Sequence, residues 1–331
     1  SMSSGIINTV AGVGQSPFAG GHSGDGGLAV NAELFQPFGV WGDSVGSLFI
    51  ADTFNNRVRK VMGISGIIMT VAGNGAGGHN GDNIAATSSS LNKPHGVWLD
   101  SIGDIYIADT DNHAIRKVLV SSGVIVTWVG VPTQSGYGGD SGLASSALLH
   151  GPVHVIGDVN GNLYISDTSN KAIRKVTKTE KPCDEKCYEY LISTFVHPLC
   201  LPSFVWVDLS GTVYIADSGD MVIEQIMPGS ANSMTFAGEK AVVSSGFFDS
   251  GDGNVATSAL FNTPWSIISD TQGNFYISDQ GSNVIRKIAA GSNIVSTIGG
   301  DGMFAYSGDN GPATSASMAQ PGDLWMDMSG N

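Results

Sequence analysis

From residue 94 to 130 the chain reads PHGVWLD, SIGD, IYIAD, TDN, HAIRKVLV, SSG and VIVTWVG, so short apolar runs alternate with polar turn residues. Runs this short, rich in β-branched and aromatic residues and bounded by Gly, Asn, Asp or Ser, predict strands instead of helices. Each run is apolar on both faces. A strand buried on both sides needs neighbours above and below it, so this segment predicts a four-stranded sheet stacked between others.

The pattern recurs. FIADT at 49–53, YIADT at 106–110, YISDT at 164–168, YIADS at 214–218 and YISDQ at 276–280 place Asp52, Asp109, Asp167, Asp217 and Asp279 at spacings of 57, 58, 50 and 62 residues. Units of this length with four short strands each predict an all-β chain folded as a β-propeller. One domain is expected over residues 1–331, with blades starting near 37, 94, 152, 202, 264 and 321. PGDLWMDMSGN at 321–331 matches the opening strand and turn of a unit, and IINTVAG at 6–12 matches a closing strand, as IIMTVAG does at 67–73. The expectation is a six-bladed propeller whose last blade takes its outermost strand from 6–12 and is incomplete within 1–331. Two further strands are expected beyond Asn331, and without them the blade has unpaired edges.

The D-x-N-x-x-I-R-K string, together with G-D-G-x-x-A and Y-I-A-D-T, resembles the NHL repeat, and the likeness runs along essentially the whole chain. The resemblance implies a propeller, usually of six blades, that serves as an interaction platform. It also leaves room for lyase or RNA-binding activity, since some NHL-like propellers have those functions.

Charge narrows the choice. With 15 basic against 29 acidic residues and a net charge of −14, the chain lacks the basic surface on which phosphate-backbone binding is built, which argues against nucleic acid. No run of about eighteen apolar residues is present, so no membrane association is expected. Cys183, Cys187 and Cys200 are an odd set crowded into one region, which favours a reducing, intracellular compartment over a disulfide framework. The repeated features read as scaffold. Asp25, Asp82, Asp140, Asp252 and Asp309 of the G-D-x connectors are turn residues, and the YIAD aspartates are expected to pair with Arg59, Arg116, Arg174 and Arg286. Trp41, Trp98, Trp206 and Trp325 share one repeat position and are expected to pack between sheets.

Function is sought where the copies differ. The residues after each blade-opening proline are expected at the mouth of the channel. They include Phe38, His95, His154, Phe204, Trp265 and Asp323, a ligand-binding set with Ser203 and Ser266 nearby. His95 and His154 with Asp323 could hold a divalent metal, and NHL-like amidating lyases carry zinc on histidines inside the propeller. Blade three departs from the plan in TKTEKPCDEKCYEYLISTFVHPLCLP, and the connector that follows lacks the G-D-x motif. Lys171, Arg174, Lys175, Lys178, Lys181 and Lys186 form its basic cluster, with Lys178, Lys181 and Lys186 as the partner-binding residues. Cys183, Cys187, Cys200 and His197 are a second candidate zinc set. The expected function is a non-enzymatic module without a cofactor that binds a protein or peptide within a longer polypeptide. The alternative is a metal-dependent lyase or hydrolase acting at the channel mouth.

Overall fold

The computed structural model of the protein describes residues 5–14, 21–181, 187–240, 251–327 and 330. Its regular elements are short strands and three-residue 3₁₀ turns. The strands form five antiparallel sheets, each four consecutive strands in sequence order, and the second sheet gains a two-residue strand, Ile84–Ala85, on its outer edge. Blade one opens at Val40–Gly42 and ends at Ile68–Ala72. Blades two to five run from Pro94–Leu99 to Val124–Val129, Pro152–Gly157 to Cys187–Val196, Pro202–Val207 to Met234–Ala237 and Pro264–Ser269 to Val295–Gly299. The protein is an all-β β-propeller.

Two compact units divide the chain. Gln15–Pro198 holds blades one to three, and Ser1–Gly14 with Leu199–Asn331 holds blades four and five. Within each unit the core lies between successive sheets, as two-faced apolar strands require. Trp98 and Tyr106 of blade two pack with Val155 and Ile165 of blade three, while Tyr214 and Phe204 of blade four pack with Ile267 and Tyr276 of blade five.

One sequence device fixes each second-to-third-strand turn. The YIAD aspartate ends the second strand and accepts the N–H of a residue upstream of the blade: Phe35 to Asp52 at 2.8 Å, Asn92 to Asp109, His150 to Asp167 and Asn262 to Asp279 at 2.7 Å. Asn56, His113, Lys171 and Asn283 then take a left-handed conformation, with φ between 51° and 58°, before the third strand starts.

One expectation is corrected. Among the described residues five blades are present instead of six, because residues 321–327, expected to open a sixth, form no strand. An opening strand is held by pairing with a second strand, and among the described residues none lies beside it. Ile6, however, forms an antiparallel bridge to Pro312, the same closure that joins Val255 to Ile294 in blade five. Thr9 N–H donates to Asp309 at 3.0 Å as Thr297 N–H donates to Asp252 at 2.9 Å. Blade three departs from the plan in its last hairpin. Its additional residues lengthen the last hairpin, giving ten-residue strands Ala172–Lys181 and Cys187–Val196 paired from Ile173–Val196 out to Lys181–Cys187.

Candidate functional site

In blades one, two, three and five the G-D-x connector and the YIAD aspartate meet at one buried arginine. Arg59 lies 2.8 Å from Asp25 and 3.2 Å from Asp52, Arg116 3.0 Å from Asp82 and 3.4 Å from Asp109, and Arg174 2.6 Å from Asp140 and 3.3 Å from Asp167. Arg286 lies 2.7 Å from Asp252 and 3.7 Å from Asp279. All four arginines are fully buried. Burial raises Asp52 and Asp167 above the ordinary carboxylate value and pushes Asp109 to about 6. On Asp25 and Asp140 burial acts in the same direction but is outweighed, by hydrogen bonds from Thr70 and Thr194 and by the neighbouring arginine, so these acids lie below the usual range. Blade four lacks both partners together: Glu224 stands where the other blades have arginine and pairs with Lys240 at 3.0 Å. These carboxylates are ionic fasteners of the scaffold, as the sequence indicates, with the addition that one guanidinium serves both sets.

The predicted ligand-binding residues fall in both units. In Gln15–Pro198, the Phe38 and His95 rings lie 4.8 Å apart, tilted by 37°. His95 Nδ1 lies 3.0 Å from both the Lys93 carbonyl and Thr110 Oγ1. The Thr110 hydroxyl donates to the Pro152 carbonyl at 2.8 Å, and Lys93 O can only accept, so His95 carries its proton on Nδ1 and a lone pair on Nε2. Burial lowers the His95 pKa, against a raising hydrogen bond to Lys93. His154 is 2% exposed, and burial pushes its pKa down to about 3, which keeps it neutral at physiological pH. Gly96 permits the close approach of the neighbouring opening strand, because a Cβ there would lie 2.7 Å from the Val153 carbonyl oxygen and 3.0 Å from His154 Cα.

In the other unit Phe204 is core, while Trp265 and Asp323 are half-buried. The serines considered as nucleophiles are bound into the scaffold. Ser203 Oγ donates to Trp265 O at 2.8 Å, and Ser266 Oγ pairs with Ser278 Oγ at 2.9 Å and donates to Gly322 O at 3.2 Å. Among the described residues no group of three His, Cys, Asp or Glu side chains is placed to hold a metal ion.

The basic cluster of blade three is broken up by the fold. Arg174 is consumed by its two aspartates, and Lys175 lies over the Tyr164 ring at 5.0 Å and the Phe195 ring at 5.6 Å. Lys178 is exposed, with its ammonium 3.7 Å from the centre of the Tyr188 ring. Lys181 ends its strand, and Lys186 and Cys183 lie outside the described residues.

One feature had no counterpart in the sequence reading, a cleft of about 580 Å³ beside blade five lined by Ser282, Val284, Thr297, Gly300, Asp301 and Gly302. In the aligned repeats Val284 stands where blade one has Arg57 and the other blades have Ala114, Ala172 and Val222, and Asp301 stands where blade one has Asn74.

Residues 91–118 match the family model of the NHL repeat. The chain thus carries an NHL repeat at residues 91–118. NHL repeat-containing protein 2 of Homo sapiens is 34% identical over 92 residues, which cover 27% of this chain and 12% of that protein. Teneurin-1 of Mus musculus is 25% identical over 286 residues, covering 73% of this chain and 10% of its own length. The chain thus spans about a tenth of the length of these curated relatives. Among solved structures, a protein of unknown function from Bacteroides thetaiotaomicron superposes with a TM-score of 0.66 at 17% identity, over 96% of this chain and 70% of that one. A streptogramin B lyase superposes with a TM-score of 0.52 at 13% identity, over 89% and 88% of the two chains. At these identities the likeness is one of fold.

Proposed function

We propose that this NHL-repeat propeller is a protein- or peptide-binding module with a sixth unit assembled from the connector around Pro312 and the N-terminal segment at Ile6. The Ile6–Pro312 bridge supports the sixth unit. The blade-three hairpin carries the functional reading. Beyond the register of the other blades it presents Lys178 above Tyr188, which is 39% exposed, on a paired two-stranded ribbon. A cation held on an aromatic face and displayed on a paired ribbon suits an acidic or aromatic surface of a partner. Lys181 and Lys186 extend the same positive segment in sequence. The repeated carboxylates, Ser203 and Ser266 are meanwhile engaged in holding the blades. In the test, the intact chain and a variant with residues 178–190 replaced by a two-residue turn are compared as bait. A partner held only by the intact chain supports the reading, whereas equal capture by both excludes the hairpin.

A lyase or hydrolase is the second reading, and His95 is what favours it. A neutral imidazole with an Nε2 lone pair beside an aromatic ring has the properties of a general base. Stoichiometric zinc in the purified protein, lost in His95→Ala, would transfer the assignment to this reading.

A further inference from the structure

Blade one shows what belongs in the blade-five cleft. Asn56 and Asn283 occupy the same left-handed position, with φ of 51° and 57°, and make the same bonds. Their amides donate to Gly75 O and Gly302 O, each at 3.3 Å, and their Oδ1 atoms accept the N–H of Lys93 and Gln320, each at 2.9 Å. The next residue is Arg57 in blade one and Val284 in blade five. The Arg57 guanidinium folds back over the segment Asn74–Gly75, donating to Asn74 O at 3.0 Å and Asn55 O at 3.3 Å, and a Cβ on Gly75 would collide with it. The valine of blade five stops short of that space, and Ser282 and Asp301, the counterparts of Asn55 and Asn74, line the cleft.

Two further differences make the blade-five site a better cation receptor than its model in blade one. The amide of Asn74 is replaced by the Asp301 carboxylate, which is held in place by the N–H of Met303 at 2.9 Å and the hydroxyl of Ser317 at 2.9 Å. Thr297, a residue of the cleft lining, has a buried hydroxyl without a hydrogen-bond partner, whereas its counterparts Thr70 of blade one and Thr127 of blade two bond to Asp25 and Asp82. A guanidinium is planar, offers five donors and suits a mixed set of carboxylate, carbonyl and hydroxyl acceptors.

We infer that the cleft lined by Val284, Thr297 and Asp301 receives the side chain of an arginine from a partner protein, in the place that Arg57 fills from within the chain in blade one. This deepens the binding-module reading by naming a partner residue, and rests on that reading only for its biological setting. The net charge of −14 favours the approach of a basic segment. Asp301 is exposed, so the contact is weakened by salt and one arginine alone binds in the millimolar range.

The test titrates the isotope-labelled chain with the capped peptide acetyl-Gly-Arg-Gly-amide at low ionic strength and follows backbone amide shifts. The expected result is a saturable response confined to Ser282, Thr297 and Gly300–Gly302. It weakens about tenfold in Asp301→Asn and is abolished in Val284→Arg, which fills the cleft from inside. A Val284→Arg chain whose circular dichroism and urea midpoint match those of the unaltered chain controls for fold. A lysine peptide that binds equally well, shifts spread over the acidic surface, or an unchanged response in Val284→Arg would each overturn the inference. Loss of the hairpin at 178–190 leaves this titration unchanged, so failure of the cleft and failure of the hairpin reading are told apart.

Discussion

Replacing Arg116 with methionine tests the claim that one guanidinium serves two carboxylates. Arg116 and Asp109 are both fully buried and lie 3.4 Å apart, while Asp82, 3.0 Å away on the other side, is one-third exposed. Methionine roughly preserves the apolar stem, so the loss is chiefly ionic. Asp109 keeps hydrogen bonds from Asn92 N–H at 2.7 Å and Asn112 Nδ2 at 2.8 Å but loses its counter-charge. Stranding a buried charge in this way costs about 3–5 kcal/mol, whereas the half of the network facing Asp82 is screened and adds ~1 kcal/mol or less. The double variant Asp109→Asn with Arg116→Met removes the stranded charge, so it is expected to be more stable than Arg116→Met alone by roughly 1.5 kcal/mol or more. The dependence on pH has a definite sign. Burial raises the folded pKa of Asp109 from 3.8 to about 6, so the contribution of its proton to stability is complete below 3.8 and is lost as pH rises through about 6. Without Arg116 that pKa rises further, and the penalty of the single variant shrinks as pH is lowered from 7.5 to 5. Urea unfolding followed by the fluorescence of Trp98 and Trp128, which pack in the same cluster, reads out the unit concerned. A cost below about 1 kcal/mol, or a double variant no more stable than the single, would refute the stranded-charge argument.

Three other outcomes are expected. His154, with a folded pKa near 3 against 6.5, contributes stability that is complete above 6.5 and is lost as pH falls from there toward 3. His154→Gln should flatten that part of the profile, by up to roughly 4 kcal/mol at its acid end, and identical pH profiles for the two proteins would show that the imidazole is not buried neutral. Gly96→Ala places a methyl against the Val153 carbonyl and His154 Cα, so a destabilisation of about 1–3 kcal/mol is expected in thermal unfolding, and an unchanged Tm would contradict the close approach. Thr110→Val removes the donor to the Pro152 carbonyl of the next blade, which should cost about 1 kcal/mol and leave His95 Nδ1 with Lys93 O alone; a neutral effect in urea unfolding would mean that water replaces the hydroxyl.

The repeat determined most of the fold. Its strands are apolar on both faces, and the turn residues recur at fixed offsets, so four-stranded sheets stacked face to face were legible from local pattern alone. The arginine pairing was legible for the same reason, since each YIAD aspartate stands seven residues before its arginine along an antiparallel hairpin. The tertiary structure decided what depends on neighbours. The connector aspartates Asp25, Asp82, Asp140 and Asp252 reach the same guanidinium across 34 residues, a separation that no local pattern signals. His95 and His154 occupy equivalent stretches of adjacent opening strands, yet one is half-buried and hydrogen-bonded while the other is enclosed, because enclosure is set by the sheet packed against the strand. Residues 321–327 have the composition of an opening strand but form none, since a strand exists only through pairing. The blade-five cleft is likewise a property of two positions brought together: Val284 and Asp301 are ordinary repeat variants in sequence, and become a cavity only because the fold places the short side chain where its counterpart's guanidinium would lie.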